Sequence, residues 1–147
     1  MNKTAILAAV CMILGGWLLL NPGDVAPVNP VHPVTPVEPI ADDSFKLGRH
    51  VLIVYESIDK PTYPSSQALI LDSAEFKQFL NQTATDGWRI LDQDANTEYM
   101  PEVFQLWAKR ERSGLPWIVI SNGQTGVEGE LPATIDETKE LIGKLLQ

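Results

Sequence analysis

The sequence predicts an α/β domain with a mixed central sheet, placed behind an apolar N-terminal segment and a proline-rich spacer. Three observations support this prediction. Residues 51–55 form a continuous run of strand-forming residues, which indicates a central strand buried on both faces, as in parallel sheets covered by helices. Apolar residues recur with helical spacing between Met100 and Ala108. The dipeptide Asn122-Gly123 is typical of a hairpin turn.

The first 21 residues are predicted to be a membrane anchor. An uncharged run covers residues 4–20, and as a helix it would span about 25 Å, at the short end of what crosses a bilayer. A cleaved signal peptide is the main alternative, although the small-residue cleavage pattern is not clean. Lipidation at Cys11 is a third possibility, which the bulky Val10 disfavours.

The charges that flank the apolar run predict its orientation. Lys3 precedes the run and acidic residues follow it, so the positive-inside rule places the N-terminus in the cytoplasm. The domain is then expected in the periplasm of a bacterium, held at the inner membrane by a single span. Signal cleavage would instead give a secreted domain.

Residues 22–43 are predicted to be an extended linker. From Pro27 to Pro39, proline occurs at every third residue, which matches the turn of a polyproline II helix. Such a segment reaches about 40 Å and is semi-rigid. We interpret it as a spacer that lifts the domain off a membrane, and a docking ligand for an aromatic groove is the alternative.

The globular domain is assigned to residues 44–147 and begins with the buried strand. A loop with two prolines follows that strand. The first helix is predicted to begin at Asp72-Ser73, with Glu75 in a capping position. A short second strand is expected at residues 88–92.

The second half of the domain completes the order β-α-β-α-β-β-α. The second helix is expected to begin near Pro101 and to end at Gly114. The third strand, residues 115–120, has a proline at its beginning, and a short strand near residues 126–129 is expected to pair antiparallel with it. A capping box that begins at Thr134 predicts the last helix.

The charge balance limits the partners. The formal net charge is −8 and the pI is about 4.6. Nucleic acid and anionic lipid surfaces bind clustered Lys and Arg, so neither is expected as a partner. The densest basic group stands beside two glutamates and is assigned to a solvated helix face rather than to a phosphate site. It consists of Arg89, Lys109, Arg110 and Arg112.

Cysteine and histidine are too few for most thiol and metal chemistry. The one cysteine, Cys11, lies in the apolar N-terminal run, and the only histidines are His32 and His50. These numbers exclude an intramolecular disulfide, a Cys-based metal cluster and a multi-His metal site in the domain. No metal or cofactor is expected.

The order of elements and one proline resemble the thioredoxin-like fold, a three-layer sandwich. Leu115-Pro116-Trp117 is similar to the segment that opens the third strand in that family, and Gly129-x-Leu131 before a capped helix is similar to its C-terminal end. The similarity covers about residues 50–146. It implies a cis peptide bond before Pro116 and a peptide-binding side next to that proline.

The sequence departs from that family at its active-site motif. The family places Cys-x-x-Cys after the first strand, whereas residues 55–66 contain no cysteine and neither does the rest of the domain. Thiol–disulfide exchange requires a thiolate, so dithiol oxidoreductase and thiol peroxidase activities are excluded. The helix that normally begins there is predicted to be displaced towards Ser73, after a long loop.

Two other chemistries have little support in the residues. Ser57 and His50 stand at opposite ends of the first strand, about 20 Å apart, so a Ser–His pair is not expected. The pattern Asp92-x-Asp94, with Glu98 nearby, imitates the start of a calcium loop but lacks its later glycine and glutamate. Capping and ordinary loop polarity explain these carboxylates better.

The function expected from the sequence is a redox-inactive, membrane-tethered module that binds a protein or peptide. The candidate groove consists of Ser57, Leu115, Pro116 and Trp117. The sequence leaves open whether Trp117 packs in the core or contacts a ligand. A structural component of a membrane or envelope, such as that of a bacteriophage, is the alternative, and an enzyme with non-thiol chemistry is a third reading.

Overall fold

The computed structural model describes residues 42–147. In this range the chain forms an α/β fold with a four-stranded mixed sheet and four α-helices. The predicted anchor at residues 1–21, and the predicted linker up to residue 41, lie outside the described residues. Within the described range, no helix is both long and apolar enough to cross a membrane.

The elements follow the predicted order, with one additional helix and two short 3-10 turns. The 3-10 turns cover Asp43–Leu47, termed the N-terminal turn, and Lys60–Thr62. The helices and strands are β1 Arg49–Tyr55, α1 Ser65–Asp72, α2 Ala74–Thr83, β2 Gly87–Asp92, α3 Glu102–Ala108, β3 Trp117–Asn122, β4 Gly126–Glu130 and α4 Ile135–Leu146.

The strands lie in the order β2-β1-β3-β4. β1 runs parallel to β2, with Tyr55 opposite Asp92, and antiparallel to β3, with Val54 opposite Trp117. The ends of β1 and β2 therefore share one edge of the sheet with the beginning of β3. We term it the upper edge, and it comprises residues 56–60, 92–99 and 115–117.

Two apolar clusters cover the two faces of the sheet. Val51 and Ile53 of β1 pack on the side of α1, α2 and α4, whereas Leu52 and Val54 pack on the side of α3. Successive side chains of a strand point to opposite faces, so a strand buried on both faces is apolar throughout. The prediction of a central strand at residues 51–55 is confirmed. Trp107 of α3 is fully buried in the second cluster, as its place in the helical stripe predicted.

The first half of the domain differs from the prediction. Residues 65–72 form a helix where a long loop was expected, and the cap of α2 is Ser73 rather than Asp72. The Ser73 Oγ accepts a hydrogen bond from the Phe76 N–H at 3.1 Å. Pro64 directly precedes α1, where a missing N–H costs nothing. The apolar residues 68–71 are consecutive rather than helically spaced, and for this reason the sequence pattern did not predict the helix.

The second helix is shorter than predicted. α3 ends at Ala108 instead of Gly114, because Arg112 donates to the carbonyls of Trp107 and Ala108 at 2.7 and 3.1 Å. These bonds satisfy two of the acceptors that a helix C-terminus leaves free. The capping box of α4 is formed as predicted, since Thr134 and Glu137 each accept from the other's backbone N–H.

The N-terminal turn belongs to the domain. Phe45 is fully buried, and its carbonyl accepts a hydrogen bond from the Ser121 hydroxyl. Asp42, which the sequence places at the end of the linker, caps the turn by accepting from the Ser44 N–H at 2.7 Å. The described fold therefore starts at least two residues before the predicted boundary at residue 44.

Of the basic residues that were assigned to a solvated helix face, Arg89 and Lys109 are exposed as expected, whereas Arg110 is mostly buried. The Arg110 guanidinium contacts Asp42 at 2.5 Å and Glu128 at 3.1 Å, and it lies over the Phe45 ring at 4.8 Å from the centroid. Only 17% of its side chain is exposed. Arg110 thus joins the N-terminal turn to β4. The sequence does not predict this interaction, because its partners are far apart in the chain.

Candidate functional site

The four residues of the predicted groove lie at or next to the upper edge with unequal exposure. Ser57 is exposed, Leu115 and Trp117 are half-buried, and Pro116 is buried. The Leu115–Pro116 peptide bond is cis. Leu115 and Trp117 pack together on the cluster around Trp107, so Trp117 contributes to the core. Its indole Nε1 is buried and has no hydrogen-bond partner among residues 42–147.

Ser57 is held towards β2 rather than towards β3. Its backbone N–H donates to Oδ2 of Asp92 at 2.9 Å, and Oδ1 of the same carboxylate accepts from the Asp94 N–H at 2.9 Å. Hydrogen bonds from the Ser57 side chain and from the backbone N–H groups of Asp94 and Ser57 lower the pKa of Asp92 below its usual 3.8. Asp92 is therefore an ionised acceptor that fixes two loops.

Glu56 is a buried carboxylate that the sequence analysis did not single out. It is 7% exposed, and it accepts hydrogen bonds from the Ile58 N–H at 3.2 Å and from the Gln93 side-chain amide. The Tyr63 hydroxyl accepts from its backbone N–H at 3.0 Å. The position directly after a parallel strand is the signal that could have revealed Glu56, because strand ends meet at one edge of the sheet.

Three carboxylates meet at the upper edge. Oxygens of Glu56, Asp92 and Asp94 lie within 4.8 Å of one another, so that Glu56 takes the place that the sequence suggested for Glu98. These are the oxygen ligands that a hard divalent cation would use. Glu56 and Asp92, however, already accept N–H groups from the loops after β1 and β2. Loop hydrogen bonding therefore accounts for Glu56 and Asp92, in line with the reading of Asp92 as a capping residue.

Two large apolar side chains project from the same edge. Ile58, in the loop after β1, is 81% exposed, and Tyr99, in the loop after β2, is 92% exposed. The Ile58 backbone is tied to Glu56 by the hydrogen bond described above. Isolated exposed apolar residues are ordinary, but these two lie on the loops that follow the two parallel strands β1 and β2.

The surface around these two side chains is acidic. The loop segments 56–60 and 92–99 contain five acidic residues and a single basic one, Lys60. Lys60 donates to both oxygens of Asp72 at 2.7 and 2.8 Å, so its charge is already paired. The five acidic residues are Glu56, Asp59, Asp92, Asp94 and Glu98.

The remaining polar features lie elsewhere. His50 is 6% exposed at the beginning of β1, with its ring nitrogens 3.2 and 3.3 Å from the carbonyls of Leu47 and Gly87. It stands at the other end of β1 from Ser57, so no Ser–His pair forms. A depression of about 470 Å³ borders the free edge of β2, between Asn81 and Ile90.

Comparison with known proteins gives no indication of the function. No protein-family model matches the sequence, and neither a curated protein nor a solved structure matches the chain. The upper edge combines exposed apolar side chains, a net negative charge and loops fixed by hydrogen bonds.

Proposed function

We propose that residues 42–147 are a redox-inactive, thioredoxin-like domain that binds a partner protein through the upper edge. The strand order β2-β1-β3-β4, with β3 antiparallel to the other central strand, supports the three-layer sandwich expected from the sequence. The proline before β3 lies where the resemblance requires it. The domain contains no cysteine, so the fold is free of thiol chemistry.

The same proposal includes a tether. Residues 4–20 anchor the chain in a bacterial inner membrane, and residues 22–41 space the domain away from it on the periplasmic side. The support is the apolar run, the flanking charges and the proline repeat in the sequence. Phe45 and Arg110 fix the first described residues, from Asp42 onward, to the sheet.

The exposure of Ile58 and Tyr99 is the observation that carries the binding function. Each presents most of its apolar side chain to solvent from a loop whose backbone is hydrogen-bonded, so little ordering would be needed on binding. Aromatic and aliphatic side chains of this kind are the usual anchors of protein interfaces. A catalytic role has no comparable support, since the buried carboxylate of Glu56 already accepts two hydrogen bonds.

Site-specific photocrosslinking in cells of the source organism tests the proposal. A photoreactive phenylalanine analogue replaces Tyr99 in the full chain, and in a second variant it replaces Gln124, which is exposed in the turn at the opposite edge of the sheet. The proposal predicts a discrete adduct with another protein from position 99 and none from position 124. Adducts only with a second copy of the chain, or none at position 99, would contradict it.

A further inference from the structure

The acidic residues of the upper edge differ in whether their carboxylates are engaged in hydrogen bonds or ion pairs. Glu56 and Asp92 hold loop N–H groups. By contrast, none of the ion pairs within residues 42–147 involves Asp59, Asp94 or Glu98. These three are exposed, so they present unneutralised charge beside Ile58 and Tyr99.

The negative charge of the upper edge determines which class of partner can bind there favourably. A second copy of this chain carries the same net charge of −8, so self-association through this edge would bring like charges together. An anionic partner surface meets the same repulsion. A segment that carries Lys or Arg would be attracted by the three carboxylates, and its binding would break no ion pair of the domain.

We propose that the upper edge docks a cationic segment of a partner protein. Basic side chains of that segment meet Asp59, Asp94 and Glu98, and an apolar side chain packs on Ile58 and Tyr99. This inference rests on the proposed function, because it names the chemistry of the partner at the same surface. It defines a mixed surface in which charge directs the encounter and the apolar side chains hold the complex.

A peptide of alternating lysine and leucine residues, labelled with fluorescein, is the first probe. Its binding to the full chain in mild detergent is measured by fluorescence anisotropy, with a glutamate–leucine peptide as the comparison. Asp59→Asn, Asp94→Asn and Glu98→Gln combined should weaken binding about tenfold, because three weak exposed pairs are lost together. They should leave the fold intact, since these side chains cap nothing among the described residues.

A matched charge control separates this surface from the acidity of the whole chain. Glu111→Gln, Glu130→Gln and Asp136→Asn combined change the net charge by the same amount, on exposed side chains outside the upper edge. Like the first three, they enter no ion pair within residues 42–147. The inference predicts less than a twofold change for this control, an effect within the range of single exposed charges. Equal weakening by both triple variants would show non-specific attraction and would overturn the inference.

The apolar half of the surface has its own matched control. Ile58→Ser with Tyr99→Ser should weaken peptide binding about tenfold, as the loss of two exposed apolar contacts implies. Leu47→Ser, at a side chain 47% exposed on the N-terminal turn, should leave it unchanged. Binding should also weaken between about 50 and 500 mM salt, since exposed charges are screened.

The outcomes separate this inference from the proposed function. Amide chemical-shift changes on peptide addition should concentrate in residues 56–60 and 92–99. Shifts centred elsewhere, or equal binding of the glutamate peptide, overturn the cationic partner. If the photoreactive analogue at position 99 crosslinks to a partner whose contact segment is acidic or uncharged, the proposed function stands and this inference fails. If position 99 yields no adduct, the proposed function fails as well.

Discussion

The backbone N–H of Ser57 donates to Oδ2 of Asp92 at 2.9 Å, and this bond joins the ends of the two parallel strands β1 and β2. Asp92 thereby holds the loop that carries Ile58, and its other oxygen holds the loop that leads towards Tyr99. Asp92 is thus one of the acceptors that fix the loops of the two exposed apolar side chains, together with Glu56 and Asn96. The charge state of Asp92 should influence both loops.

Asp92→Asn should destabilise the domain at neutral pH, because one carboxylate oxygen that accepts an N–H becomes an amide donor. The pKa of Asp92 is lower in the folded chain than in the unfolded one. Its stabilisation is therefore fully present above the unfolded pKa of about 3.9 and is lost as the pH falls through the folded pKa. Urea unfolding of both proteins between about pH 7 and pH 2 should show the difference shrinking towards acid. A constant difference would contradict the assignment.

Gly126→Ala should destabilise the domain by about 1–3 kcal/mol, because an added Cβ would overlap the buried ring of Phe45. Gly143→Ala is the control, since its Cβ would meet no atom within 4 Å in the last turn of α4. It should stabilise by about 0.5–1 kcal/mol through helix propensity. Thermal unfolding of both variants measures the contrast, and a neutral Gly126→Ala would show that the N-terminal turn is not packed as described.

Arg110→Met should destabilise the domain by about 1–3 kcal/mol, because Glu128 would lose its partner in a mostly buried position. Asp42 would also lose an ion pair, although the Ser44 N–H would still hold it. Lys109→Met, at the exposed neighbouring position, should change the free energy of unfolding by less than about 0.5 kcal/mol. Equal effects in chemical denaturation would refute the ion-pair assignment.

Ile58→Ser and Tyr99→Ser together should leave the stability within about 0.5 kcal/mol of the parent chain, since both side chains are almost fully exposed. Leu52→Ala, at a fully buried position of β1, should cost about 2–5 kcal/mol in the same assay. A large loss in the double variant would mean that these residues serve folding, and the binding account would then lose its anchors.

The sequence predicted those elements whose local signals agree with the fold. The apolar run of β1 needs burial on both faces, and the capping box of α4 names its own first residue, Thr134. The hairpin of β3 and β4 follows from Asn122-Gly123. In these segments the local sequence is sufficient to predict the element, and the tertiary structure agrees with that prediction.

Other features depend on contacts that no local pattern reveals. α1 has consecutive apolar residues, and its identity as a helix comes from packing against α4 and the sheet. The proximity of Glu56 to Asp92 requires the parallel register of β1 and β2. Of the predicted groove, only Ser57 is exposed, and Trp117 packs partly against the core around Trp107.

Hydrogen–deuterium exchange of the full chain, with and without the partner recovered by crosslinking, tests the central claim most directly. The account predicts that the partner slows exchange in the loops at residues 56–60 and 92–99, while the turn around Gln124 exchanges as before. Protection confined to the turn around Gln124, or to the free edge of β2, would contradict the assignment of the upper edge as the binding surface.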